Sequence, residues 1–435
     1  MNVKVLHVST PDGVSGALHR ESQYVFNYSA TERKDEVSLT MPIRAKSYAS
    51  TPLPPMFSMN LPEGYLFDCI ARRLAKHEAI DDMRLLAITG RQQIGRLQFT
   101  PPGDAWQAPA PQVGLKQLLR EPASAGVFDF LVDTYFQAGI SGVQPKVLMP
   151  DADRPPAERV TLTESDLIVK TGGAEYPWLA QNEFLCMDAA RRAGMDVPEF
   201  WLSDDGGLFI MRRFDLTPKR LGFEDMAVLM GLPRDPQGNY KYRQSYEAVA
   251  RIIQVFSGAK AADNLRAFFE SVALSVLVRN GDAHLKNFGM LYSDPASADV
   301  CLAPVYDVVT TTIYPYYHQR TGIERVDRTL ALKLFSGART RDYPSRDELL
   351  RFGKTVCGVR NPDETLDRIA SAMTDTLAQH RHRLDGEYAA QLRAEWEQSL
   401  GLMSRSSVHV VEPLPSSATP AEREATSDDE DRPTP

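Results

Sequence analysis

Between Leu265 and Leu277 the apolar residues Leu265, Phe268, Phe269, Val272, Ala273, Val276 and Leu277 recur at i, i+3, i+4, i+7, i+8, i+11 and i+12. That spacing predicts a helix with one face sunk in a core. The pattern stops at Asn280-Gly281, residues suited to ending a helix, and the chain runs directly into NGDAHLKNFG, Asn280 to Gly289. A long buried helix that delivers a polar, acid-bearing loop constrains the chain more than any other feature. The loop must sit at the edge of the core, and the chemistry of the chain is expected there.

The rest of the sequence divides around this helix. The first hundred residues hold short β-type stretches such as Glu36–Thr40, turns at Thr51–Pro55 and one helical pattern at Leu66–His77, a small α+β unit. TPPGDAWQAPAPQ, Thr100 to Gln112, interrupts all periodicity and reads as a linker. Beyond it, Val127–Gln137 reads as a helix, Val143–Met149 and Leu167–Lys170 as strands, and Asn182–Ala193 as a helix with Leu185, Cys186, Ala189, Ala190 and Ala193 on one face. Gly206–Arg213 contains the apolar strand LFIM, and helical patterns fill Asp347 to Met403. The expected organisation is an α+β unit over 1–104, a core over 105–404 whose strand-rich and helical lobes meet near 211–216, and a disordered acidic tail over 405–435. No internal repeat is visible. A strand-rich lobe followed by a helix-rich lobe is the layout of a two-lobed nucleotide kinase.

Charge and cysteine usage exclude several alternatives. Seven acids and three arginines between Arg405 and Pro435 supply half of the formal net charge of −8, which leaves a mildly acidic body with no general nucleic-acid footprint. Cys69, Cys186, Cys301 and Cys357 are scattered and form no CxxC pair, so neither a zinc site nor a disulfide framework is expected. The start, MNVKVLHVST, lacks a signal-peptide pattern, and no apolar run approaches the ~20 residues that span a bilayer. These features predict a soluble cytoplasmic protein without a membrane partner.

Phosphoryl transfer needs a carboxylate to orient or deprotonate the acceptor hydroxyl, and metal ligands to neutralise charge on the phosphates. Asp282 and Asn287 are five residues apart, the offset of base and metal-binding amide in a protein-kinase catalytic loop. Asp307, in CLAPVYDVV, follows Asp282 by twenty-five residues and offers a second carboxylate; its oxygens and the Asn287 amide oxygen suit Mg²⁺. Singly, each residue has a plainer reading: Asn280-Gly281-Asp282 as a helix-terminating turn, Asp307 as a strand-end acid, His284 as a structural hydrogen-bonding residue, Lys286 as a solvated charge. Their joint occurrence favours the chemistry. Upstream, Ser141-Gly142-Val143-Gln144-Pro145-Lys146 offers backbone N–H groups and a lysine to phosphates, although it is neither a Walker A sequence nor GxGxxG and also reads as a turn entering a strand. Lys170 closes an apolar strand as a phosphate-binding candidate, with Glu183 as its ion-pair partner, and Met211-Arg212-Arg213-Phe214 falls where the lobes join.

These pieces together resemble the HipA family of bacterial kinases, the toxin halves of HipBA-type toxin–antitoxin pairs. The resemblance spans about residues 1 to 400 and rests on SLTMPIR (Ser38–Arg44), LPPMFSMNLPEG (Leu53–Gly64), ISGVQPKVLM (Ile140–Met149), IVK (Ile168–Lys170), NEFLCMDAARRAG (Asn182–Gly194), RRFD (Arg212–Asp215), NGDAHLKNFG and PVYDVV (Pro304–Val309). It implies a protein-kinase-related fold in which Ser141, Gly142, Val143, Gln144, Lys146, Lys170, Arg212, Phe214, His284, Lys286, Asn287, Tyr306 and Asp307 contact Mg-ATP. In it Asp282 is the base, and Asn287 and Asp307 hold Mg²⁺. Two departures stand out. Family members often carry an acid where this chain has Arg212, and a serine where it has Gly139, which leaves Ser141 as the candidate for autophosphorylation. The resemblance further implies a serine/threonine kinase toxin with a helix-turn-helix HipB-like antitoxin, operator DNA contacted mainly through that antitoxin, and a translation component such as an aminoacyl-tRNA synthetase as substrate. Two alternatives remain: a small-molecule phosphotransferase of the aminoglycoside type, against which LPPMFSMNLPEG argues, and, as a further implication of the resemblance, an antitoxin-binding co-repressor with secondary catalysis.

Overall fold

In a computed structural model, which describes residues 3–74, 80–104, 112–120, 125–135, 138–140, 144–155, 165–173, 176–216, 219–235, 237–318 and 323–404, strand alternation builds the first layer. Val5–Thr10 buries every second residue, Leu6, Val8 and Thr10. It pairs antiparallel with Gly13–Arg20 on one side and Gln98–Thr100 on the other, and Tyr24–Tyr28 and Tyr48–Ser50 complete a five-stranded sheet. The helix Asp82–Thr89, capped by the Asp81 carboxylate on the Arg84 N–H at 2.8 Å, packs against it. The stretch Glu36–Thr40 is not a strand. Two of its backbone donors are taken by distant side chains instead: the Val37 N–H by the Tyr28 hydroxyl at 3.0 Å and the Leu39 N–H by Glu224 at 2.7 Å.

The second layer is a four-stranded antiparallel sheet in the order Phe200–Leu202, Leu208–Arg212, Leu167–Thr171, Lys146–Met149. Its strands are near-continuous apolar runs because both faces are covered. The register sets Lys146 opposite Lys170. The helix Leu179–Arg192 packs behind this sheet and starts three residues earlier than the apolar spacing predicts. The helix expected over Val127–Gln137 runs Ala125–Tyr135, and that expected over Leu66–His77 runs Gly64–Leu74 with its remainder outside the described residues. Residues 141–143, 105–111 of the linker and the tail 405–435 also lie outside them.

The helical lobe is built from Tyr246–Phe256, Ala261–Leu277, Arg346–Thr355, Pro362–Gln379 and Glu387–Leu402. Ala261–Leu277 buries the residues its periodicity selects, among them Phe268, Phe269, Val272 and Val276. It stops by a different device from the one expected. Arg279, not Gly281, takes the left-handed backbone at φ 60, and the Asn280 N–H turns back to the Ser275 carbonyl at 2.8 Å. Gly281 is required by proximity, since a Cβ there would lie 2.7 Å from the Thr329 carbonyl oxygen. A three-stranded sheet, Gly222–Asp225, Gly289–Tyr292 and Cys301–Leu302, lines the lobe junction. Among the described residues no helix is long and apolar enough to cross a membrane.

Buried polar contacts bind the N-terminal unit to the core. Glu224 is fully buried and accepts from the Ser38 hydroxyl at 2.8 Å, the Leu39 N–H at 2.7 Å and the Tyr292 hydroxyl at 2.5 Å. Asp215 accepts from the Gly95 N–H at 2.7 Å and is paired with buried Arg213, whose guanidinium also donates to the Gln93 carbonyl at 2.8 Å. On the opposite side, the helix Leu179–Arg192 is pinned to the C-terminal helices through buried Asp188, which accepts from Arg192 Nε at 2.6 Å and from Arg191, and lies 2.9 Å from His380 Nε2. Burial works against the Asp188 charge, but Arg192, Arg191 and His380 outweigh it and hold the carboxyl below its ordinary value.

Two outcomes follow. Glu224→Ala strands three donors and should lower the unfolding free energy by about 3 kcal/mol in urea denaturation, with Glu224→Gln losing less; an unchanged midpoint for the alanine variant would contradict this docking. A carboxyl depressed in the folded state contributes stability above its unfolded pKa of about 3.9 and loses it as pH falls. Asp188→Asn should therefore be less stable than the parent at pH 7, with the gap closing below about pH 4; a gap independent of pH would argue against the pairing.

Candidate active site

A cleft of about 1050 Å³ opens between the four-stranded sheet and the helical lobe, and Met59, Asn60 and Ile94 of the N-terminal unit form part of its wall. The sheet contributes Lys170, the fourth residue of the strand Leu167–Thr171 and paired on both sides, so its side chain leaves the sheet on a fixed face. Its ammonium donates to Glu183 Oε1 at 2.5 Å and Asp307 Oδ1 at 2.8 Å. Burial disfavours the charge, but the two carboxylates outweigh it and hold Lys170 above its ordinary value.

Asp307 is the meeting point. Its second oxygen accepts from Asn287 Nδ2 at 3.1 Å. Burial opposes its ionisation, yet Lys170 and Lys146 keep the carboxyl well below the usual carboxylate range. Its backbone sits at φ 60, a left-handed conformation that few side chains other than Asn and Asp adopt readily. The segment that follows is fixed by Asn182, which donates from Nδ2 to the Thr310 carbonyl at 2.9 Å and accepts the Thr310 N–H at 2.9 Å. Neighbouring residues of one helix, Asn182 and Glu183, thus hold the Asp307 segment and Lys170 respectively.

The loop after the buried helix supplies the other wall. Asp282 is exposed to the cleft and accepts from the Tyr242 hydroxyl at 2.6 Å through Oδ1. The His284 N–H donates to Asn287 Oδ1 at 3.2 Å, closing the turn. The His284 ring is buried, and burial pushes its pKa down to about 4, with Lys241 and Lys286 adding to the effect against Asp282 and Asp307. Lys286 is no solvated charge: its ammonium donates to Asp225 Oδ2 and to the Met59 carbonyl, both at 2.8 Å. The Tyr306 hydroxyl donates to the Lys286 carbonyl at 2.8 Å, and its ring stacks at a tilt on Phe214 with centroids 5.3 Å apart.

Of the residues singled out in the sequence, Gln144, Lys146, Lys170, Phe214, Asp282, His284, Lys286, Tyr306 and Asp307 line the cleft, and Asn287 stands directly behind Asp307. Arg212 does not join them. Its guanidinium turns to Asp151, Asp166 and Glu199 at 3.2, 3.1 and 3.0 Å, and its N–H donates to the Glu199 carbonyl. Ser141, Gly142 and Val143 lie outside the described residues. Sequence reasoning missed Asn182, Asp225, Lys241 and Tyr242. The first precedes Glu183 and could have been noticed in that helix, but nothing local marks the others. Asn287 and Asp307 offer hard oxygen donors of the kind Mg²⁺ takes, and among the described residues no group of three or more His, Cys, Asp or Glu competes as a metal site.

Comparison with known proteins bears on this arrangement. A family model described as the HipA-like C-terminal domain matches residues 138–380, and one described as the HipA N-terminal domain matches residues 6–100. A Sinorhizobium fredii protein, Y4dM, which carries a provisional kinase name, is 30% identical over 320 residues, covering 68% of this chain and 69% of its own. Y4mE of the same organism, named in the same way, is 27% identical over 344 residues, covering 72% and 79%. The solved complex of the Shewanella oneidensis MR-1 toxin–antitoxin system HipA, HipB and its operator DNA contains a chain that superimposes with a TM-score of 0.63 at 18% identity, covering 92% of this chain and 98% of that one. The likeness extends the two-lobed α+β architecture over nearly the whole chain.

Proposed function

The chain belongs to the HipA family, and on that premise we propose that it is an ATP-dependent serine/threonine protein kinase, the toxin of a toxin–antitoxin pair. The observation that carries this reading is the convergence on one cleft of a buried lysine, the Asp307–Asn287 pair and the exposed carboxylate of Asp282.

In this reading Lys170 and Lys146 meet the phosphates, Phe214 and Tyr306 flank the adenine, and Asn287 and Asp307 would hold Mg²⁺, which when bound neutralises charge on the phosphates. Asp282 receives the proton of the acceptor hydroxyl. The acceptor oxygen then forms the new bond to the γ-phosphorus, the bond to the β,γ-bridging oxygen breaks, and ADP leaves with its electron pair. His284, kept neutral by burial, adds no positive charge beside Asp282. Lys286 serves the site through its ties to Asp225 and Met59, which fix the loop. The unit over 1–104 and the core over 105–404 act as one body in this reading. Ser141 is the autophosphorylation site, a HipB-like helix-turn-helix protein is the antitoxin that carries the chain to operator DNA, and a translation component such as an aminoacyl-tRNA synthetase is the acceptor.

Incubation with Mg-ATP tests the mechanism. Asp282→Ala and Asp307→Ala should each lower ATP turnover by about a hundredfold or more, because one removes the base and the other a metal ligand, and Asp282→Ala should do so with its thermal transition close to the parent's. Wild-type turnover in Asp282→Ala would overturn the mechanism. In the same incubation mass spectrometry should find phosphate on Ser141 of the parent and not of Asp282→Ala. Failure of a neighbouring helix-turn-helix gene product to co-purify with the chain would remove the antitoxin assignment.

A further inference from the structure

Lysine is almost never fully buried without a carboxylate, because stripping an ammonium of water is costly. The cleft contains two that are. Lys146 is 6% exposed and Lys241 is 7% exposed, and among the described residues neither is hydrogen-bonded or ion-paired to an acid. Lys170, by contrast, is neutralised by Glu183 and Asp307. The cleft therefore presents, on two sides, a lysine that no carboxylate contacts directly. Lys146 accounts for one side, across the sheet from Lys170.

Lys241 comes from a different element, the single helical turn Asn239–Tyr242, and that turn is held firmly. It is entered through Gly238 at φ 71, buries Tyr240, and is tied to Asp235, which accepts the Asn239 N–H at 2.8 Å and the Arg243 guanidinium at 3.0 Å. Its next residue, Tyr242, donates to Asp282. Among the charges around the cleft, Lys241 acts on His284, two residues beyond Asp282, and also on Lys146. Its ammonium lies 5.4 Å from the centroid of the Tyr242 ring, too little to replace a carboxylate. Lys241 thus lines the cleft from the turn whose next residue, Tyr242, holds the carboxylate that takes the proton.

We propose that Lys241 is a catalytic residue that contacts the terminal phosphate of a nucleoside triphosphate and stays with that group as it passes to the acceptor, while Lys146 and Lys170 serve the inner phosphates. This rests on the kinase reading above. The Lys241 ammonium donates to non-bridging oxygens of the γ-phosphoryl and takes no proton or bond of its own, so the balance of the transfer is unchanged. A contact to the γ-phosphate alone gives the site a means of telling a triphosphate from a diphosphate and so of releasing ADP after transfer.

The test is calorimetric, on the full chain. Lys241→Met keeps the length of the stem and removes the charge. The variant should bind Mg-ATP about tenfold more weakly, the factor one charge-assisted hydrogen bond carries, while its affinity for Mg-ADP should stay within about twofold. Lys241→Arg should recover part of the loss. Equal weakening for both nucleotides, or no change for either, would overturn the assignment. If the methionine variant does not fold, acylation of the parent decides: Mg-ATP should protect Lys241 and Mg-ADP should not, and equal labelling in the two would refute the contact. A parent that binds neither nucleotide would overturn the kinase reading as well, whereas a parent that turns over ATP beside an unaffected Lys241→Met would overturn this inference alone.

Discussion

A buried ammonium has to be neutralised, and the way Lys170 is neutralised organises the molecule around it. Glu183 reaches it from the helix behind the sheet and Asp307 from across the cleft, so one cation joins three segments distant in sequence. Removing Lys170 would leave two carboxylates unpaired in a low dielectric, which costs several kcal/mol, and removing either acid would leave Lys170 to the other alone, so the three positions are tied to one another. The helix that brings Glu183 also brings Asn182, whose amide clamps the backbone just after Asp307. The lobes are therefore held in register at the point where the chemistry is proposed to occur.

The N-terminal unit belongs to this arrangement and is not an appendage. It provides cleft wall at Met59, Asn60 and Ile94, and its carbonyl at Met59 takes the ammonium of Lys286 from the loop that carries Asp282. Glu224 and Asp215 receive backbone N–H groups of that unit at Leu39 and Gly95 in fully buried positions. Contacts of this kind exchange poorly with water, so the unit and the loop are expected to move together.

Much of this was legible in the sequence. The helix Ala261–Leu277 announces itself by a repeated apolar face, and the strands Leu167–Thr171 and Leu208–Arg212 by apolar runs, because burial imposes those patterns locally. Asp282, Asn287 and Asp307 were recoverable because the first two share a short loop with a fixed offset. What escaped depended on contacts between distant segments. Glu36–Thr40 has strand-like residues, but its N–H groups meet Tyr28 and Glu224, and no local rule could have named either partner. Arg212 sits beside cleft residues in the chain, yet strand alternation sends its side chain to Asp151 and Asp166 on the other face. Lys241 and Tyr242 lie in a turn whose sequence carries no motif at all. Gly281 was expected to end a helix by its conformation, whereas Arg279 does that and Gly281 answers to the Thr329 carbonyl pressed against it.

The left-handed backbone of Asp307 bears on how such a chain can change over generations. Glycine, asparagine and aspartate are the residues that tolerate this conformation best. Glutamate, usually the gentlest replacement for aspartate, would retain the charge but push the carboxylate outward by a methylene on a backbone it disfavours. Asparagine suits the backbone but leaves Lys170 with a single acid. The position therefore has few exits, and each abandons the carboxylate that Lys170 needs. In a lineage released from selection, the first viable steps at this site lead to Asn or Gly, so either residue here, in an otherwise recognisable copy, would mark a descendant that had given up the proposed chemistry and kept the fold.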